Sequence, residues 1–176
     1  MYDLNKSQIM ELFQFDNAAK VISAAYIASS SGDVQTGDVV HLSFPGSNGD
    51  CHVKSGHINN TELYVIKIAS GFYDNPSKGL PSSNGMMLAF SASTGEPKAI
   101  LRDEGWLTDM RTGIGGAVAT KALAAKNAEK VLIIGSGIQA QFQAKCLASL
   151  MPETPFNFSI WGRNTSAAAA LAEELR

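Results

Sequence analysis

Cysteine is scarce in this chain. Cys51 and Cys146 are too few and too far apart for a disulfide framework or a thiolate metal site. Two free thiols and no metal are expected. No apolar run approaches the roughly 18 residues that a membrane helix requires, so no span is expected. The formal charge of −2 lacks the lysine and arginine excess that nucleic acid binding demands. No block of like charge marks a membrane-surface segment. The opening residues MYDLNKSQIMELF hold no basic region followed by a long apolar stretch. No signal peptide is expected, and the cytoplasm is the expected compartment. What is present is a 176-residue chain, 45% hydrophobic, enough for one or two domains with a sizeable core.

The hydrophobic spacing changes twice along the chain. From residue 7 to about 30 it is helical, with Ile9, Leu12 and Phe13 on one face and Asp16 or Asn17 placed to cap a second helix over 18–27. Residues 39–44, 51–58 and 63–69 then read as strands, separated by turns at 45–50 and 59–61. Such closely spaced strands predict a mostly antiparallel sheet. Residues 71–85, rich in Gly, Pro, Ser and Asn, read as a loop long enough to carry function. Two more strands follow at 86–91 and 98–101. A helix over 107–125 contains Gly113, Gly115 and Gly116. Glycine disfavours helix, so close packing against a neighbour is the expected reason for them. Strand 131–134, helix 138–150, strand 156–161 and helix 165–175 then give the alternation of a parallel α/β sheet.

One turn in that last stretch carries chemistry. VLIIGSGIQA places Gly135, Gly137 and Ala140 in the pattern G-x-G-x-x-A, between an apolar strand and a helix and ahead of a second strand. That context separates a dinucleotide fingerprint from an ordinary βα turn. Gly135 permits the tight turn, Gly137 leaves room for a diphosphate, and Ala140 keeps the helix near the sheet. The backbone N–H groups of Ile138 and Gln139 then face the phosphates at the positive end of the helix dipole. After the second strand, an acid would hold a ribose 2′-hydroxyl, whereas an arginine would hold a 2′-phosphate. The sequence there reads Trp161-Gly162-Arg163-Asn164, without an acid. Arg163 and Asn164 are therefore expected at the cofactor. The expected cofactor is NADP or NAD, with NADP favoured.

Three further pieces, Gly79-Leu80-Pro81, Thr94-Gly95-x-Pro97 and Leu107-Thr108-x-x-Arg111-Thr112, precede the glycine motif, Gly135-x-Gly137-x-Gln139-Ala140. With them, the chain from about Gln35 onward resembles the ornithine cyclodeaminase and mu-crystallin family. The resemblance implies an α/β protein. An α+β substrate-binding and dimerisation domain, residues 1–115, precedes the start of a Rossmann doubly wound parallel sheet, residues 116–176. It also implies a homodimer and NAD(P)-dependent chemistry at the α-carbon of a small amino or cyclic imino acid. That chemistry is cyclodeamination or imine reduction, such as reduction of pyrroline-2-carboxylate. An NADPH- or ligand-binding protein of the mu-crystallin kind, or an inactive relict, is the alternative.

By the same resemblance, Lys67 is the substrate lysine and a proton carrier, and Arg111 touches both substrate carboxylate and cofactor. Ser82 and Thr112 are hydroxyls placed at the cofactor. Two departures stand out. The family's first-strand arginine is replaced by Asp38, and Lys54 on the next strand is the expected substitute cation for substrate binding. The family also runs to about twice this length. Its catalytic aspartate and the rest of a Rossmann sheet of about six strands fall beyond residue 176. The 176-residue chain is therefore expected to be a fragment, inactive alone, with an open apolar sheet edge.

Overall fold

Alternation of residue type in the first hundred positions builds a single sheet. The computed structural model describes residues 1–175 and divides the chain into two compact units. The first comprises Met1–Phe13 and Ala25–Leu107; the second comprises Gln14–Ala24 and the residues from Thr108 onward.

In the first unit the strands are β1 (Tyr2–Asn5), β2 (Val34–Thr36), β3 (Val40–Phe44), β4 (Gly49–Ile58), β5 (Leu63–Phe72), β6 (Ser83–Ser91) and β7 (Pro97–Arg102). Their order is β1-β7-β6-β5-β4-β2, and β3 shares the outer edge of β4 with β2. All pairs are antiparallel except β1 with β7. The expected antiparallel sheet is therefore present with two strands that the pattern did not signal. β1 is four residues long and pairs Tyr2 with Ala99, far away in sequence. β2 has three residues, only one of them apolar. The expected loop is shorter than 71–85, because β5 runs on to Phe72 and β6 begins at Ser83.

Helix α1 (Lys6–Leu12) starts at a capping box. Asn5 accepts from the Gln8 N–H and donates its own N–H to the Gln8 side chain, each at 3.0 Å. This satisfies two otherwise orphaned donors. Helix α2 (Phe15–Ser30) begins ahead of the expected cap, so Asp16 stands within its first turn, where the dipole favours an acid.

The second unit holds most of α3 (Trp106–Leu123), then β8 (Lys130–Ile134), α4 (Ile138–Leu150), β9 (Asn157–Trp161) and α5 (Thr165–Glu174). β8 and β9 are parallel, with Ile133 opposite Ile160. The core is built largely from small residues: Ala117, Ala140, Ala144, Cys146 and Ala168, with Ile114, Leu147 and Leu171. An added Cβ at Gly113 would lie 2.8 Å from the Phe142 carbonyl oxygen and from Cys146 Sγ, and one at Gly116 would overlap the Gln143 amide. Close approach of α3 to α4 thus accounts for glycines that helix propensity alone disfavours. No helix among the described residues is long and apolar enough to cross a membrane.

Candidate functional site

The glycine turn is built by two constraints. Gly135 has φ +135°, a conformation that L side chains rarely adopt, and its N–H donates to the Trp161 carbonyl at 2.7 Å. The turn is thereby clamped to the end of the neighbouring strand. Gly137 is the N-cap of α4, and no side chain caps the helix there. A Cβ added at Gly137 would meet nothing within 4 Å. Its backbone therefore faces open space, with the N–H groups of Ile138 and Gln139 in the first turn behind it. First-turn N–H groups lack intrahelical partners and suit an anion.

A cleft of about 660 Å³ lies at the carboxyl ends of β8 and β9, lined by Ile134, Gly135, Ser136, Trp161, Gly162, Arg163 and Asn164. Ligands of open α/β sheets bind at the carboxyl ends of the strands. The lining contains one cation and no carboxylate. Gly162 sits close to the first turn: a Cβ there would be 3.1 Å from Ser136 Oγ. Arg163 is exposed. Asn164 caps α5, its side-chain oxygen accepting from the Ala167 N–H at 3.0 Å. Only its amide nitrogen and backbone are left for a ligand.

Two side-chain contacts that the sequence did not signal stabilise the turn from behind. Gln139 donates from Nε2 to Asp109 Oδ1 at 2.6 Å, joining the first turns of α4 and α3. Gln143 donates to the Thr112 carbonyl at 3.1 Å. The Gln139 Oε1 atom is buried and has no hydrogen-bond partner among the described residues. The position of Gln139 in the motif was readable; that its side chain turns toward Asp109 was not. Arg111 is exposed on α3, and the Thr112 hydroxyl donates to the Thr108 carbonyl at 2.7 Å. In this conformation the Thr112 proton is committed within its own helix.

In the first unit, Lys67 on β5 stands directly opposite Lys54 on β4 and opposite Met87 on β6. Lys67 is half-buried and Lys54 is exposed. Like charges facing each other across strands destabilise a sheet, and an anion placed between them reverses that sign. Ser82 is half-buried at the end of the loop before β6, and its carbonyl accepts the Phe72 N–H at 2.7 Å. The expected site residues thus fall into two groups. Lys54, Lys67 and Ser82 belong to the first unit, and Arg111, Thr112, the glycine turn, Arg163 and Asn164 to the second.

A parallel strand, a glycine turn, a helix and a second strand are the opening of a Rossmann-type sheet, here preceded by a largely antiparallel sheet carrying paired cations. The chain belongs to the ornithine cyclodeaminase/mu-crystallin family, whose model matches residues 3–176. It is 37% identical over 175 residues to an uncharacterized cyclodeaminase of Sinorhizobium fredii, covering 98% of this chain and 52% of the relative. Among solved structures it is similar to an archaeal alanine dehydrogenase dimer with bound NAD (TM-score 0.86, 26% identity, 99% of this chain and 52% of the other). It is also similar to the Thermococcus litoralis Δ1-pyrroline-2-carboxylate reductase in complex with NADH and L-proline (TM-score 0.85, 28% identity, 99% and 53%). The chain spans about half the length of the curated relatives it matches.

Proposed function

We propose that this chain carries the substrate lysines and the dinucleotide-cradling turn of an NAD(P)-dependent enzyme acting at the α-carbon of an amino or cyclic imino acid. The reaction is imine reduction, as with pyrroline-2-carboxylate, or cyclodeamination. The open space before Gly137, at the head of an uncapped helix and beside a cleft, is the observation that carries this reading. A nicotinamide dinucleotide fits it: a side chain at Gly137 would fill the diphosphate position, and the helix N-terminus complements the charge.

The backbone N–H groups of Ile138 and Gln139 hold the diphosphate. Arg163, the cation of the cleft lining, takes a 2′-phosphate through its planar fork, which favours NADP over NAD. Bound there, the cofactor supplies or accepts a hydride. Lys54 and Lys67 hold the substrate carboxylate, and Arg111 is a cation for the cofactor. Lys67 Nζ moves a proton to or from the reacting end of the substrate, a task suited to a half-buried ammonium. Val40, Leu42 and Phe44 are exposed on edge strand β3. Those apolar residues and the dimeric neighbour support a homodimer formed through this sheet.

Trp161 lines the cleft and reports cofactor binding. Titration with NADPH and NADH should quench its fluorescence, in a background where Trp106 is replaced by Phe. Gly137→Ala should weaken both by at least about tenfold without lowering Tm, while Arg163→Ala should weaken NADPH selectively. Binding that is unchanged by Gly137→Ala, or absent from the unmodified chain, would overturn the reading. Reduced-cofactor absorbance separates the reactions: an imine reductase consumes it, whereas a cyclodeaminase leaves it unchanged and releases ammonia.

A further inference from the structure

The two lysines are part of a longer row of polar side chains. Along β4, side chains two residues apart share a face, so Asp50, His52 and Lys54 point the same way. His41 of β3 is opposite His52, and their rings stack at 4.6 Å and 18°. Lys67 is opposite Lys54. On the same face, Ala69 stands opposite His52 and Gly71 opposite Asp50. No large side chain of β5 therefore covers the ring of His52.

We propose that this face reads a second carboxylate, and that the substrate is an α-amino or α-imino dicarboxylic acid. The inference rests on the assignment of Lys54 and Lys67 to the α-carboxylate. His52 lies about 7 Å from Lys54 along the strand. Two carboxylates separated by two or three carbons bridge that span when each is within hydrogen-bond reach of its partner. Asp50 Oδ1 lies 3.6 Å from His52 Nδ1, and Tyr73 donates its hydroxyl to Asp50 Oδ2 at 3.2 Å. Asp50 is thus fixed against Nδ1, which leaves Nε2 as the pole turned to a ligand. His41 fixes the plane of the ring.

Nε2–H is the donor offered to the second carboxylate, since Nδ1 is turned toward Asp50. Among the described residues of these strands, the charged and titratable groups on the face of the ring are Asp50 and Lys54 from β4, His41 from β3 and Lys67 from β5.

Calorimetric titration of the full chain with L-aspartate and L-glutamate against L-alanine and L-norvaline, with NAD⁺ present throughout, tests this. The dicarboxylic acids should bind at least about tenfold tighter, the effect of one charge-assisted hydrogen bond. His52→Phe, which keeps a ring against His41, should lower the selectivity ratio about tenfold. His52→Leu, should the first variant not fold, should lower the ratio by a similar factor. Equal affinity for the two classes, or selectivity unmoved by these variants, would overturn the inference and leave the lysine assignment standing. Failure of every acid to bind would remove both.

Discussion

Cys146 shows how one side chain can be read from its surroundings. It is 2% exposed, and its Sγ donates to Met110 Sδ at 3.7 Å. Burial pushes its thiol up from 9.0 to about 11. The unfolded chain loses this proton first, so the thiol's contribution to stability is complete below pH 9 and is lost as pH rises through about 11. The loss is on the order of 1 kcal/mol per pH unit across that window. Urea midpoints measured from pH 8 to pH 11 should fall less steeply in Cys146→Ala than in the unmodified chain. Native labelling at pH 8 should reach Cys51 and leave Cys146 untouched until unfolding. That both cysteines are free thiols was legible from their number and spacing. That one of them is sealed against α3 was not, because it depends on the absence of a Cβ at Gly113, thirty-three positions earlier.

Among the elements, the α3–α4 contact has the strictest geometry. At Gly113 both sides of the clash are fixed, one being the backbone carbonyl of Phe142 at 2.8 Å. A carbonyl within a helix has little freedom to move, so Gly113→Ala should destabilise by about 1–3 kcal/mol despite alanine's better helix propensity. Thermal denaturation should show Tm lowered by several degrees; an unchanged or raised Tm would mean that the helices separate freely. At Gly116 the obstacle is the flexible Gln143 amide, so the same substitution there should cost less. The element types of α3, β8, α4, β9 and α5 were legible, since short apolar runs and helix-forming stretches alternate there between clear turn residues. β1 and β2 were not. A strand of three or four residues has too few alternations to register, and both exist through partners far away in the chain.

For the molecule as a whole, the exposed face of the β8–β9 sheet is conspicuous. Leu132, Ile134 and Trp161 alternate outward at 63%, 73% and 57% exposure, while Val131, Ile133, Phe158 and Ile160 are half-buried on the opposite face. An apolar patch of this kind binds hydrophobic probes. An anilinonaphthalene dye should fluoresce on the native chain. Leu132→Lys, outside the cleft lining, should reduce that signal while leaving the Tm within about 2 °C. A dye signal unaltered by the change would place the patch elsewhere.

By itself the sequence determined the local chemistry. The order Gly135-x-Gly137-x-x-Ala140 between strand and helix, the absence of an acid after the second strand, and lysines at positions 54 and 67 of two neighbouring strands are all matters of spacing. Tertiary structure decided register and approach. Pairing Lys54 with Lys67, stacking His41 on His52, and turning Gln139 toward Asp109 each required two segments to meet at one alignment. A slip of one residue would move every strand side chain to the opposite face. Periodicity carries no information about which partner a strand meets, because that choice is settled by the summed burial of all the elements at once.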